Sequence, residues 1–138
     1  FIEKSKAIIM GRKTFDAARS VMKLSPSKLR IVVTKTPKEY ANMTIAGQLE
    51  FTSESPMGII RRLDARGYKQ ALLVGGEQIN TLFFKAKFIN EVWITIEPCI
   101  FGDGSGLVYK ENLDVHLRLK SAKMLNETGT LLLKYKVL

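Results

Sequence analysis

The sequence predicts an α/β fold with a mostly parallel sheet, flanked by helices, and an antiparallel hairpin at the C-terminal end. Three short apolar runs are each followed by a helical pattern, which indicates repeated strand–helix units. The chain then changes to alternating apolar residues around a tight turn, which is typical of antiparallel strands. Its 138 residues are enough for one domain, spanning 1–138, and too few for two.

The first two predicted strands are apolar runs of the kind that parallel sheets bury on both faces. Ala7–Met10 ends at Gly11, and a helix follows from Thr14. Its inward positions recur at helical spacing, at Phe15, Ala18 and Met22. Arg30–Thr34 is rich in β-branched residues and predicts the second strand. Residues 38–49 are polar and poorly patterned, and residues 50–52 predict a short strand.

The helix before the third of these apolar runs has clear boundaries. Ser55 is a good N-cap, Pro56 suits the first helical position, and Gly67 suits the helix end. The inward residues of this helix are Ile59, Ile60 and Leu63. Gln70–Val74 predicts a third buried strand, which ends at Gly75. The helix after it carries Ile79, Leu82 and Phe83 on one face.

The last part of the chain predicts three strands. Residues 89–101 contain alternating apolar positions, and 102–106 form a glycine-rich loop. A further strand covers 115–119, and a tight turn at 127–130 leads into the returning strand 131–138. Trp93 is expected in the core, and Cys99 is expected to be a small buried apolar residue.

The composition favours an anionic partner and excludes several kinds of site. The net charge is +9, from 22 basic and 13 acidic residues, which suits a phosphorylated cofactor, a phosphorylated substrate or nucleic acid. With one cysteine and one histidine, the chain has no Cys/His cluster for zinc, so no metal is expected. No apolar run reaches the roughly 18 residues of a membrane span, and no secretory leader is recognised. A cytoplasmic location without membrane binding is therefore expected. Nucleic-acid binding is not expected, because the basic residues are scattered and no strand carries the aromatic pattern of RNA-binding domains.

Two glycine turns are the best candidates for binding chemistry. Ligands of open α/β sheets bind beyond the carboxyl ends of the strands, where Gly11-Arg12-Lys13-Thr14 and Gly75-Gly76 both lie. Glycine permits close approach of a ligand, and the first helical N–H groups attract an anion. Each turn alone is also compatible with an ordinary strand–helix connection. Together, at one edge of the sheet, they predict an extended dinucleotide.

Two further positions extend this hypothesis. Thr34 and Lys35 end the second strand at the same edge, where they are placed to hold a ribose 2′-phosphate, or to form only a polar strand end. Thr95 lies within an apolar strand, with its hydroxyl directed towards a substrate, a carboxylate or the backbone.

These segments resemble the dihydrofolate reductase-like superfamily. Residues 7–15, AIIMGRKTF, resemble the motif after the second strand of dihydrofolate reductases, and 31–34 resemble their next strand. Residues 73–77, LVGGE, resemble the turn beside the nicotinamide. Residues 89–98 (INEVWITIEP), 101–106 and 127–135 are still more similar to the reductase domain of riboflavin biosynthesis. The resemblance covers nearly the whole chain.

The resemblance implies an NADPH-dependent reductase that transfers a hydride to a pyrimidine-type intermediate of riboflavin biosynthesis. It places NADPH against Gly11, Arg12, Lys13, Thr14, Thr34, Lys35, Val74, Gly75, Gly76, Glu77, Gln78 and Ile79, and the substrate against Thr95. The proton donor is not assigned. A pyrimidine or pterin is the implied small-molecule substrate, and a homodimer is implied by the family alone.

Two departures from the family keep alternatives open. Folate reductases clamp the substrate's carboxylate with an arginine where Lys28 stands, and lysine is the poorer bidentate partner. The family's first strand and its proton-relaying carboxylate belong before Phe1, so an N-terminally incomplete domain is expected. The alternatives are a dihydrofolate reductase, a non-catalytic nucleotide- or nucleic-acid-binding module, and a fold that binds NADPH without catalysis.

Overall fold

Four of the predicted strands form one parallel sheet. The computed structural model describes residues 6–138. The expectation that the domain is incomplete at its N-terminus concerns residues outside that range. The sheet has the order β3-β2-β1-β4, with all pairs parallel. Its strands are β1 (Ala7–Gly11), β2 (Leu29–Val33), β3 (Leu49–Thr52) and β4 (Leu72–Leu73).

Two α-helices and one 3₁₀ helix connect these strands, and a third α-helix follows β4. They are α1 (Arg12–Ala18), the 3₁₀ helix (Pro37–Met43), α2 (Pro56–Ala65) and α3 (Glu77–Lys85). Ser55 caps α2, because its side-chain oxygen accepts a hydrogen bond from the Gly58 N–H at 3.2 Å. Gly67 follows the end of α2 with a φ of +84°, a conformation that glycine adopts without strain. Both predicted boundaries of this helix are confirmed.

The sheet separates two apolar clusters, because successive residues of a strand point to opposite faces. Ala7 and Ile9 of β1 face the first cluster, and Ile8 and Met10 face the second. Helices α2 and α3 cover the first cluster with Ile59, Leu63, Ile79 and Phe83. Helix α1 covers the second with Phe15. The predicted α/β fold with a helix-flanked parallel sheet is confirmed.

The last three strands form a separate antiparallel sheet. These are β5 (Glu91–Ile96), β6 (Leu117–Met124) and β7 (Leu131–Val137), in the order β5-β7-β6. The predicted hairpin is confirmed, with Gly129 at a φ of +100° in the turn between β6 and β7. In the part of the chain that the structure describes, β5 pairs only with β7 and β4 only with β1, so this sheet does not continue the parallel one.

Several local expectations were wrong in extent. Helix α1 ends at Ala18, because the Val21 N–H bonds back to the Ala18 carbonyl at 3.0 Å and closes a tighter turn, so Met22 lies outside the helix. Strand β4 has two residues instead of the five predicted for Gln70–Val74. Strand β5 ends at Ile96, well before the predicted residue 101.

Three predicted buried side chains are exposed. Leu82 is 48% exposed, because the face of α3 that meets the sheet is centred on Ile79 and Phe83. Cys99 is exposed in the loop after β5. Trp93 is 37% exposed and lies on the same face of the antiparallel sheet as Lys134 of β7, whose Nζ lies 3.9 Å from the centre of the Trp93 ring.

An ion-pair network joins α2 to the edge of the parallel sheet. Arg62 Nε donates to Glu54 Oε1 at 3.0 Å, and its Nη1 donates to Glu50 Oε2 at 3.2 Å. Arg66 Nη1 also donates to Glu50 Oε2, at 3.1 Å. Burial raises the pKa of Glu54, but hydrogen bonds from Thr52 and Arg62, with the Arg62 charge, outweigh burial and hold this pKa below its ordinary value.

This lowered pKa makes the stability depend on pH in acid. Because the folded-state pKa of Glu54 is below its unfolded value of 4.5, its contribution is complete above pH 4.5 and is lost as the pH falls through the folded-state pKa. We expect Glu54→Gln to lower the free energy of unfolding at neutral pH by less than about 1 kcal/mol, since the pair is partly exposed. Urea titrations at neutral pH and at pH 3 to 4 measure this, and equal losses at both would contradict it.

Candidate functional site

The two glycine turns touch each other at the carboxyl edge of the parallel sheet. Gly11 ends β1, and Gly75 and Gly76 follow β4, the strand beside β1. The Gly11 N–H donates to the Gly75 carbonyl at 2.8 Å. A Cβ added at Gly11 would lie 3.5 Å from Ile79 Cγ2, and one added at Gly76 would lie 3.8 Å from Thr14 Oγ1. A Cβ at either position would therefore make ordinary van der Waals contacts, and side chains at both positions would fill the space between the turns.

Both helices that leave these turns begin without a side-chain cap. Gly11 is the N-cap of α1 and Gly76 is the N-cap of α3, and neither provides a capping oxygen. Thr14 is the third residue of α1, so the alternative of a plain threonine-capped helix is not what the structure shows. The first N–H groups of an uncapped helix lack intrahelical partners and can donate to an anion.

Positive charge at the first turn comes from Arg12 and Lys13, both of which are exposed. Arg12 Nη1 donates to Asp16 Oδ2 at 2.9 Å. Hydrogen bonding with Tyr40, and then with Asp16, raises the pKa of Arg12 above its ordinary value, so its charge is constant at physiological pH. Lys13 forms no ion pair with any residue in 6–138.

Thr34 and Lys35 differ in what they offer a ligand. Thr34 is buried, its backbone N–H donates to the Thr52 carbonyl, and its hydroxyl accepts from the Thr36 N–H at 3.2 Å. It therefore shapes the turn after β2. Lys35 is exposed at the same edge of the sheet and forms no ion pair with the described residues. Lys35 is thus the better placed of the two to meet a phosphate.

The start of α3 is partly covered by the loop between β5 and β6. Glu77 Oε2 accepts from the Gly106 N–H at 3.1 Å, and Asn80 Nδ2 donates to the Leu107 carbonyl at 2.9 Å. The Tyr109 N–H donates to Thr81 Oγ1 at 2.8 Å. The Glu77 carboxylate thus anchors this loop. At the second glycine turn, the groups available to an anion are therefore the backbone N–H groups at the start of α3.

The other predicted residues of this turn also contribute through the backbone. Ile79 is 5% exposed and belongs to the core, so only its N–H group can meet a ligand. Val74 is half-buried and its N–H donates to the Ile9 carbonyl at 3.0 Å, which continues the pairing of β4 with β1. Gln78 is exposed.

Thr95 lies apart from the glycine turns, on β5 of the antiparallel sheet. It is exposed, stands opposite Leu132 of β7 and shares its face with Trp93. Glu91, on the same face, has its pKa lowered by hydrogen bonds from Lys120 and Trp93. Among residues 6–138, no hydrogen bond joins Thr95 to either turn, so its place in a substrate pocket stays a prediction.

Sequence reasoning missed two residues at this site, Asp16 and Tyr40. Tyr40 Oη donates to both Asp16 oxygens at 3.3 Å. The spacing of Arg12 and Asp16, four residues apart on a helix, was a usable signal for an ion pair. The contact of Tyr40 joins residues 24 positions apart, and no local pattern indicates it.

Two kinds of site or segment are not found in the described part of the chain. No group of three or more histidine, cysteine, aspartate or glutamate side chains there could hold a metal ion. No helix there has the length and apolar character needed to cross a membrane.

Comparison with solved structures shows the same fold. The chain matches a putative riboflavin biosynthesis protein from Shewanella sp. PV-4 with a TM-score of 0.78 and 23% identity, over 99% of this chain and 76% of that one. It also matches a diaminohydroxyphosphoribosylaminopyrimidine deaminase/5-amino-6-(5-phosphoribosylamino)uracil reductase from Thermotoga maritima. That match has a TM-score of 0.70 and 13% identity, over 98% of this chain and 46% of that one.

Sequence comparison identifies the family. The chain is 25% identical to the uncharacterised protein YwjB of Bacillus subtilis over 129 residues, which are 92% of this chain and 72% of that protein. It is 26% identical to YyaP of the same organism over 139 residues, covering 91% and 69%. The sequence pattern of the RibD C-terminal domain matches residues 1–131. The resemblance predicted from the sequence is confirmed, and the chain belongs to the RibD C-terminal domain family.

Proposed function

We propose that this chain is an NADPH-dependent reductase that acts on a pyrimidine-type intermediate of riboflavin biosynthesis. The observation that carries the proposal is the direct contact of the two glycine turns, through Gly11 and Gly75, at the carboxyl edge of the sheet. Family membership supports a reductase-like fold. The activity in the name of the Thermotoga maritima neighbour supports the substrate class, a phosphoribosylaminopyrimidine.

The residues of the edge fit a phosphorylated dinucleotide. Missing side chains at Gly11 and Gly76 leave room between the turns, and the uncapped start of α3 offers N–H groups for a diphosphate. Lys35 follows β2, on the side of β1 away from β4, and Arg12 and Lys13 follow β1 itself, so three cations lie at this edge of the sheet. A phosphate on the adenosine ribose would meet this group, which favours NADPH over NADH.

The chemistry would come from the cofactor, which supplies a hydride when bound. The protein would bind the phosphates at both ends, fix the position of the nicotinamide at Val74, Gly75 and Gly76, and orient it towards the acceptor. Such orientation can supply a large part of the catalysis of hydride transfer. The substrate side would include Thr95.

The proposal predicts selective binding and turnover. We expect NADPH to bind about tenfold or more tightly than NADH, because one charge-assisted phosphate contact contributes about 1.5 to 3 kcal/mol. We also expect NADPH oxidation with 5-amino-6-(5-phosphoribosylamino)uracil, whose ribosyl group would accept the hydride, and none with dihydrofolate. Fluorescence titration measures the binding, and NADPH absorbance measures the turnover.

The alternatives give different outcomes in the same assays. Turnover of dihydrofolate alone would indicate a folate reductase. NADPH binding without turnover of either substrate would indicate a non-catalytic nucleotide-binding module. Salt-sensitive RNA binding without NADPH binding would overturn the reductase proposal. The homodimer and the cytoplasmic location stay predictions.

A further inference from the structure

Three polar side chains from two segments form a connected group beside the first glycine turn. Arg12 and Asp16 lie one turn apart on α1 and are joined by the 2.9 Å hydrogen bond from Nη1 to Oδ2. Tyr40, in the 3₁₀ helix, donates to the same carboxylate, 3.3 Å from each oxygen. Asp16 therefore accepts from both partners and links them.

Tyr40 is held in place by aromatic packing. Its ring stacks on Phe51 with centroids 4.8 Å apart and an angle of 17° between the planes. It also meets the edge of Phe15 at 6.1 Å and 76°. Phe15 is 1% exposed and anchors the group in the core under α1. The hydroxyl of Tyr40 thus has a defined position, and it fixes the Asp16 carboxylate and, through it, the Arg12 guanidinium.

The same contact ties together the two segments that carry the cations. The 3₁₀ helix begins two residues after Lys35, so the bond from Tyr40 to Asp16 connects the Lys35 segment with α1. Arg12 has five N–H donors in a planar fork, and Asp16 occupies one nitrogen, so donors remain for a ligand. The segment that carries Lys35 is thereby tied to the helix that carries Arg12 before any ligand arrives.

We propose that Asp16 and Tyr40 are positioning residues that hold Arg12 for a phosphate monoester on the nucleotide ribose and thereby set the preference for the 2′-phosphorylated cofactor. This rests on the proposed NADPH function. Tyr40 lies in the segment between β2 and β3, whereas Gly75 and Gly76 follow β4 on the other side of β1, so the group would act on a phosphate other than the one at the second turn. Holding an otherwise mobile arginine before binding lowers the entropic cost of binding.

The test compares Tyr40→Phe and Asp16→Asn with the unmodified protein. We expect each to weaken NADPH binding by about 2- to 12-fold, the effect of leaving one long side chain mobile, with NADH binding unchanged. KM for NADPH should rise more than kcat falls. Asp16→Glu should recover part of the loss, because it keeps the acceptor. Tyr68→Phe is the matched control, since Tyr68 packs against the opposite cluster, with α2.

Five results would overturn the proposal. Equal losses of NADPH and NADH binding would show that Asp16 and Tyr40 have a purely structural role. A loss of NADPH binding that is fully explained by a lower melting temperature would show the same. Tighter NADPH binding by Asp16→Asn would make Asp16 a competitor of the phosphate. If the unmodified protein binds no NADPH, the proposed function fails as well. If it binds NADPH normally and the variants have no effect, only the positioning role of Asp16 and Tyr40 fails.

Discussion

Replacing Lys35 with glutamate should weaken NADPH binding by between about 10- and 150-fold and leave NADH binding nearly unchanged. Lys35 is exposed at the carboxyl edge, directly after the buried Thr34, and forms no ion pair with residues 6–138 that the substitution would break. The range follows from the loss of one charge-assisted contact of about 1.5 to 3 kcal/mol. Because the side chain is exposed and unpaired there, we expect a change in stability within about 0.5 kcal/mol.

The matched control for this variant is Lys69→Glu. It changes the net charge by the same amount, but Lys69 precedes β4 and so lies at the amino end of the sheet, opposite the glycine turns. Titrations with NADPH and NADH at two salt concentrations separate a specific contact from the general field of the protein. Equal weakening by the two variants would show that net charge, and not a contact at Lys35, attracts the cofactor.

The meeting of the two glycine turns could be predicted because it depends on local signals and on one topological rule. Gly11 and Gly75 mark the ends of apolar strands, and ligands of α/β sheets bind at such ends. The bond between these two residues then follows from β4 lying beside β1. Ser55 and Gly67 were predictable for the same reason, since a cap and a helix end depend on neighbouring residues alone.

The remaining features could not be predicted because they depend on what covers a surface. Apolar alternation shows which side chains share a face of a strand, but not whether that face is buried. Leu119 alternates with polar neighbours as a half-buried strand residue would, yet it is 52% exposed, like the rest of β6. Trp93 and Cys99 were misjudged for the same reason. Tyr40 belongs to a polar segment without periodicity, and only the folded chain brings it to Asp16.

Replacing Phe15 with alanine should lower the free energy of unfolding by about 3 to 5 kcal/mol. Phe15 is 1% exposed and fills the second core cluster with Ile8, Met10, Val32 and Leu49. Its ring also meets Phe51 edge-on at 5.2 Å, and such aromatic pairs add about 0.5 to 1.5 kcal/mol beyond burial. In a domain with about 5 to 15 kcal/mol of total stability, this loss is severe.

Urea denaturation measures the effect, with Phe101→Ala as the control. Phe101 is 86% exposed, so the same substitution there removes almost no buried surface and should cost less than about 0.5 kcal/mol. Similar losses for both variants would contradict the assignment of Phe15 to the core. Phe15→Leu keeps most of the apolar volume and should cost less than the alanine variant.

Because Phe15 also supports Tyr40, the leucine variant connects the core to the candidate site. It removes the edge contact with the Tyr40 ring but leaves the stack of Tyr40 on Phe51. If Tyr40 positions Arg12, the leucine variant should lose part of its preference for NADPH over NADH while it remains folded. If the preference is unchanged, the stack on Phe51 alone holds Tyr40, and the core under α1 stabilises the fold without tuning the site.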